Sequence, residues 1–257
     1  YKANGGKNAI SHNNIKSIYY DNKDDILWIG THLGGLNKLD IRKNAFTHYR
    51  ANENDATSLP SDIVKDIIPY KGELILGTHN GVCIFNPQNG KSRKLFVNRK
   101  EGKFIKIITD LYLDHLENLW IAVPGNGGFW YNFKTNILRN YQHNPLNKNS
   151  LSSNNINSII EDRHHNLWFA TSGSGLDLFN YSTRGFENFD SKKDGLSSDC
   201  IYYICESHQN KLLIITNQGF SLFDYQKRKF SNYSKENGFP LTAINENALY
   251  QTRDGEI

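Results

Sequence analysis

The stretch Asn166-Leu167-Trp168-Phe169-Ala170-Thr171 decides the fold, because the chain writes it more than once. Ile26-Leu27-Trp28-Ile29-Gly30-Thr31 and Asn118-Leu119-Trp120-Ile121-Ala122 are close copies. Glu73-Leu74-Ile75-Leu76-Gly77-Thr78 and Lys211-Leu212-Leu213-Ile214-Ile215-Thr216 keep the apolar pattern, with an aliphatic residue in place of the tryptophan. The aligned residues Trp28, Ile75, Trp120, Trp168 and Leu213 stand 47, 45, 48 and 45 residues apart. Self-similarity at a fixed period is the signature of a repeat architecture, so it outranks any single motif.

Working outward from each copy, every period supplies four short β-branched and aromatic runs. In the first repeat they are Ile15 to Tyr20, Ile26 to Thr31, Leu36 to Asp40 and Phe46 to Tyr49. In the fourth they are Ile156 to Glu161, Leu167 to Thr171, Leu176 to Asn180 and Phe186 to Phe189. A glycine turn separates the second and third runs, as Gly34-Gly35, Asn80-Gly81, Gly127-Gly128, Gly173-Ser174-Gly175 and Gln218-Gly219. A period in the mid-forties with four short strands predicts an all-β chain, a β-propeller of four-stranded antiparallel blades. The blades are expected at about 11–58, 59–103, 104–148, 149–194 and 195–236, with the start of a sixth at 237–257, a partial ring. Residues 1–10 read as the end of a preceding blade or a linker, and the glycines as positions of positive φ, not a phosphate loop.

Composition agrees and excludes other classes. Aromatic residues make up 12% of the 257 residues, with 20 glycines and 6 prolines, which describes a folded, strand-rich chain. A net charge of +4, with Lys and Arg spread along the chain, lacks the footprint of a nucleic-acid binder. No apolar run of about 18 residues occurs, so membrane attachment would come only through segments outside this one. The absence of methionine and the last residues Asp254-Gly255-Glu256-Ile257, which fall in mid-repeat, mark the sequence as a fragment. Cys200 and Cys205, on one strand, lie roughly 16 Å apart at the strand rise, too far to bridge. With Cys83 they read as small buried hydrophobes.

Leu151-Ser152-Ser153-Asn154-Asn155-Ile156, then Asp162, Asn166-Leu167-Trp168, Ala170-Thr171 and Gly175-Leu176, resemble the two-component regulator propeller repeats. The likeness recurs from about residue 11 to the end, and the tail from Gly238-Phe239-Pro240-Leu241 resembles a closing blade before a β-sandwich domain. The resemblance implies a periplasmic sensor region of a hybrid two-component system, with adjoining propeller and β-sandwich domains in the same chain. It further implies a membrane span, a cytoplasmic histidine kinase, an oligosaccharide ligand and control of polysaccharide utilisation. The chain departs from the pattern in the second and fifth repeats, which lack the tryptophan, and in the third, whose lead reads Glu101-Gly102-Lys103-Phe104.

If the strands run from the innermost outward, the lead into the first strand and the loop after the second open on one face. The leads carry His12, Asn13, Asn14, Ser61, Asp62, Asn154, Asn155, Ser198 and Asp199, and the second loops His32, His79, Asn126, Ser172 and Asn217. Such hydroxyl, amide, carboxylate and imidazole groups suit sugar hydroxyls, although Ser, Asn and Asp also bond their own turns. Positions that break the repeat are the better ligand candidates, because the scaffold does not require them. His32, His79, Lys103, Asn126 and Trp130 are such breakers; with Asn155 and Asp199 they form the candidate ligand-binding set. Trp130 reads either as a sugar-stacking platform or as a large core residue.

Catalytic residues, cofactors and metal ligands are not expected. Asp21, Asp114, Asp162 and Glu206 recur at the end of the first strand, which argues for a turn role instead of acid–base chemistry. His164 and His165 should alternate across a hairpin and not chelate together, and no nucleophile elbow occurs. Two other readings stay open: a propeller enzyme of lyase type, kept alive by His32 and His79, and a protein-interaction scaffold, with a homodimer as one possibility.

Overall fold

The structure, a computed structural model, describes residues 1–6, 8–97, 99–207 and 211–234. Five antiparallel sheets of four strands follow one another along the chain, each ordered as its strands occur in sequence. They comprise β1 (Ile15–Asp21), β2 (Ile26–Thr31), β3 (Leu36–Asp40) and β4 (Ala45–Tyr49); then β5 (Val64–Tyr70), β6 (Glu73–Thr78), β7 (Gly81–Asn86) and β8 (Lys91–Lys94). The third blade is β9 (Asp110–Leu113), β10 (Asn118–Val123), β11 (Gly127–Asn132) and β12 (Ile137–Tyr141). The fourth is β13 (Ile156–Glu161), β14 (Leu167–Thr171), β15 (Leu176–Asn180) and β16 (Gly185–Phe189). The fifth is β17 (Ile201–Ser207), β18 (Lys211–Thr216), β19 (Gly219–Asp224) and β20 (Lys229–Tyr233). The runs expected in the first and fourth repeats match to within a residue at each end. The expected sixth blade, at 237–257, lies outside the described residues. Among those described, no helix is long and apolar enough to cross a membrane.

Two compact units divide the chain between Leu111 and Tyr112. The first holds β1 to β8 and the opening of β9; the second holds the rest of β9 and the strands β10 to β20. Within each unit the second strand of a blade is covered on both sides, so it reads as a continuous apolar run instead of an alternating one. Trp28, Trp120 and Trp168 are at most 2% exposed, each inside a cluster shared with the next blade. Each meets the phenylalanine of the next blade's third strand edge-on. The pairs are Trp28–Phe85 at 5.6 Å, Trp120–Phe179 at 4.8 Å and Trp168–Phe223 at 5.5 Å. Such edge-to-face pairs add about 0.5–1.5 kcal/mol to the burial itself.

A carboxylate latch fixes the hairpin beneath two of these tryptophans. Asp114 accepts from Asn118 N–H at 2.8 Å and from Trp120 Nε1–H at 3.0 Å. Asp162 accepts from Asn166 N–H and from Trp168 Nε1–H, both at 2.9 Å. The turn role expected for these two aspartates therefore holds. Strand register separates the four acids of that series, however. Asp21 ends the β1–β2 ladder opposite Ile26, and Asp162 takes the equivalent place one residue past β13, its N–H on Asn166 O, whereas Glu206 stands one residue earlier, opposite Leu212, where Glu161 stands opposite Leu167.

The turn glycines Gly35, Gly81, Gly127, Gly175 and Gly219 all have positive φ, as the turns require. At Gly35, Gly127, Gly175 and Gly219 a Cβ would also run into the carbonyl of the outer strand, that of Tyr49, Tyr141, Phe189 and Tyr233 respectively. The departure of the third repeat shows in strand length: Glu101–Lys103 forms a single 3-10 turn, and β9 spans only 4 residues.

Candidate functional site

The loops expected on one face from chain direction lie side by side in four of the five blades. His32 N–H donates to Asn14 O at 2.9 Å, and His79 N–H to Ile63 O at 3.2 Å. Ser172 N–H donates to Asn155 O at 2.9 Å, and Asn217 N–H to Cys200 O at 3.2 Å. In these four blades one backbone bond thus joins the loop after the second strand to the lead.

Most polar residues of the leads serve the scaffold. Asn13, Asp62, Asn154 and Asp199 each accept a backbone N–H from the segment preceding their own repeat, from Ala3, Ala51, His143 and Ser191, all at 2.7 Å. A second device pins the lead serine to the third strand. Ser11 N–H donates to Asn37 Oδ1 at 2.9 Å, Ser152 N–H to Asp177 Oδ2 at 2.9 Å, and Ser197 N–H to Ser221 Oγ at 3.2 Å. The second blade has Pro60 at the serine position, which offers no N–H, and by register the apolar Cys83 stands where Asn37, Asp177 and Ser221 stand. The third blade, without a lead serine, has Phe129 there. In the second blade donor and acceptor are thus absent together, as buried polar groups demand. Burial pushes the Asp177 carboxyl up to about 7, against hydrogen bonds from Ser152 and Asn188 that favour the anion.

Among the candidates, Asp199 is engaged through both oxygens by Ser191, by its N–H at 2.7 Å and its hydroxyl at 3.0 Å. Trp130 sits in the middle of β11, in register with Trp120 and against the Trp120 cluster, with the Arg139 guanidinium 5.9 Å above its ring. It belongs to the blade wall. Lys103 ends the 3-10 turn of the third lead and is exposed. Asn155 is exposed and accepts Gly125 N–H at 2.8 Å, which brings it to the turn that carries the half-buried Asn126.

In the first unit His32 and His79 come together, joined by His12. The His32 and His79 rings stand 6.5 Å apart at 85°, and His12 and His32 6.2 Å apart at 63°. His12 Nδ1 accepts Asn14 N–H at 3.0 Å, which leaves its Nε2 as the donor. Burial, followed by the charges of Lys65, His32 and Lys16, holds the His79 imidazole below its usual range. A neutral His79 ring offers one donor and one acceptor. His12 is not one of the seven candidates chosen from sequence, although its signal is legible there: it breaks the Ser-Ser-Asn lead of the fourth repeat, reading Ser11-His12-Asn13. A polar depression of about 490 Å³ in the second unit, lined by Gln142, His143, Asn144 and Arg184 among others, includes none of the candidates.

Two stretches, residues 9–32 and 150–173, match the family described as two component regulator propeller. Both stretches are similar to two-component regulator propeller repeats. They include the lead and first hairpin of the first and fourth blades, and so contain His12, His32, Asn155 and the Asp162–Trp168 latch. The extracellular domain described as that of a hybrid two component system from B. thetaiotaomicron is similar at 22% identity and TM-score 0.76, over 97% of this chain and 31% of that one. PorZ of the type-IX secretion system of Porphyromonas gingivalis is similar at 20% identity and TM-score 0.64, over 86% of this chain and 34% of that one. Virginiamycin B lyase from Staphylococcus aureus is similar at 13% identity and TM-score 0.63, over 86% of this chain and 70% of that one. At such identities the likeness is one of fold, and it establishes propeller blades. The chain spans about a third of the length of the first of these structures. No curated protein matches the chain.

Proposed function

We propose that this chain is the ligand-sensing propeller segment of a periplasmic sensor in a hybrid two-component system, and that it binds an oligosaccharide without turning it over. The observation that carries the reading is the His12, His32 and His79 cluster, on loops of a chain that carries two-component regulator propeller repeats. No hydrogen bond occupies the His32 or His79 ring nitrogens among the described residues, so those nitrogens are available to a ligand. Imidazoles beside exposed asparagines suit hydroxyl groups, which both donate and accept hydrogen bonds.

Signalling requires that the ligand bind one of two states more tightly than the other. The adjoining propeller and β-sandwich domains of the same chain, or a second protomer, are the partners whose packing would differ between those states. The output is a cytoplasmic histidine kinase that regulates polysaccharide utilisation. Calorimetry of the intact sensor region against a panel of oligosaccharides, with product analysis of the mixtures, tests this. One glycan should bind intact, and the His32→Ala and His79→Ala changes should each weaken it at least tenfold. Turnover of the bound glycan, or unaltered affinity in both variants, refutes the reading.

A further inference from the structure

The turns that close the first hairpins of the third and fourth blades, both in the second unit, carry a second group of imidazoles. Glu161 ends β13, and its side chain is only 7% exposed. Its Oε2 accepts His115 N–H at 2.8 Å, its Oε1 meets His115 Nδ1 at 2.5 Å, and His165 Nδ1 lies 4.0 Å from Oε2. The two rings stack at 4.2 Å and 30°. Tyr181 donates its hydroxyl to Glu161 Oε1 at 3.0 Å, and burial together with the Asp114 and Glu161 carboxylates holds that phenol far above its usual range, as a permanent donor.

The next pair of blades shows what the scaffold itself needs at this place. There Arg163, one residue past the latch aspartate as His115 is, donates its N–H to Glu206 Oε2 at 3.1 Å and its Nε–H to Oε1 at 2.7 Å. An arginine therefore suffices to clamp one blade to the next. The clamp on the fourth repeat replaces it with His115 and adds His165, which the clamp does not require. One ligand atom from each of His115, Glu161 and His165 lies within 4.8 Å of the others.

We propose that His115, Glu161 and His165 form a binding site for a divalent transition-metal ion of the zinc type. Two imidazole nitrogens and one carboxylate oxygen are the donors such ions select, whereas calcium and magnesium take oxygen alone. A cation here takes the place of the hydrogen between His115 Nδ1 and Glu161 Oε1. Ligand atoms at about 2.0–2.2 Å from zinc stand roughly 3.4 Å from each other, so the 62% exposed His165 ring has to swing inward and the His115 Nδ1–Glu161 Oε1 pair has to open, each by about 1 Å. The Tyr181 hydroxyl and the His115 N–H hold the carboxylate, the orienting shell that metal ligands need. Three protein ligands leave a fourth position to water, and the bound ion ties two neighbouring hairpin turns together.

Zinc binding to the whole chain, measured by calorimetry with a competing chelator, is compared with His115→Arg and His165→Asn. The first variant restores the arginine clamp seen at Glu206, and the second keeps a residue that tolerates the φ of 63° at that position, so both retain the fold. The unchanged chain should take up one Zn²⁺ and show a Co²⁺ visible band and a zinc-dependent rise in Tm. Each variant should lose at least about 100-fold in affinity, more than the loss of an orienting partner causes, together with the band and the rise. Zinc uptake equal in all three proteins assigns binding to other histidines and overturns the proposal, as does no uptake by the unchanged chain.

Discussion

Replacing Asp162 by alanine isolates the latch beneath Trp168. The carboxylate accepts from His164 N–H, Asn166 N–H and Trp168 Nε1–H, each at 2.9 Å, and from the Asn166 amide at 2.9 and 3.1 Å. Asp162 is 3% exposed and Trp168 2%, so water cannot reach the indole N–H left behind. An orphaned buried donor costs about 1–3 kcal/mol, and losing the turn bonds adds about 1 kcal/mol, for a total of about 3 kcal/mol. With a urea slope of about 2–3 kcal/mol/M, the unfolding midpoint should fall by about 1 M, read by far-UV circular dichroism. Trp168→Phe keeps the ring and removes the donor, and should cost about 1 kcal/mol; in the double variant the costs should fall short of additive by about 1 kcal/mol or more. Asp21, equivalent by register but holding among the described residues only Lys23 N–H, at 3.1 Å, should change by less than about 0.5 kcal/mol on replacement by alanine. Equal midpoints for Asp21→Ala and Asp162→Ala, or strict additivity with Trp168→Phe, would refute the reasoning.

Asn37 does in the first blade what Asp177 does in the fourth, so Asp177→Asn should unfold within about 1 kcal/mol of the parent at pH 6, while Asp177→Leu, which orphans the Ser152 donors, should cost about 2–3 kcal/mol. Because burial raises the folded-state carboxyl to about 7, above the unfolded value near 4, its favourable contribution is complete below pH 4 and is lost as pH rises through 7. Denaturation from pH 4 to 8 should therefore show Asp177→Asn gaining on the parent, and a gap independent of pH would contradict this. Gly175→Ala and Gly173→Ala both place alanine at positive φ, but only at Gly175 does the Cβ meet a carbonyl, that of Phe189, so thermal melts should put Gly175→Ala lower by at least about 1 kcal/mol. Burial raises the Cys83 thiol to about 12 and that of Cys205 to about 11, so a thiol reagent on the native chain should modify the half-buried Cys200 first; equal labelling of all three by mass spectrometry would contradict the burial described.

The blades were legible in the sequence because they depend on local chemistry that repeats. Strand periodicity, glycine at positive φ and one large ring per blade recur at a fixed spacing, and a repeat can be read without knowing what lies next to it. The lead serines and asparagines were legible as polar loops but not as latches. Their partners, such as Asn37 for Ser11 and Asp177 for Ser152, lie 26 and 25 residues away, and only the folded ladder sets them opposite each other. Trp130 stood out as a repeat-breaker, yet its strand register alone decided that it faces Trp120.

What the sequence by itself determined about this protein is therefore the blade, its order and its turns, since each is encoded within one period of the chain. Tertiary structure alone decided which side chains from successive periods meet. His32 with His79, and His115 with Glu161 and His165, are separated by nearly a full repeat in sequence and touch only because one blade packs on the next. Contacts between blades depend on the rotation from one sheet to its neighbour, and no periodicity within a single repeat records that rotation.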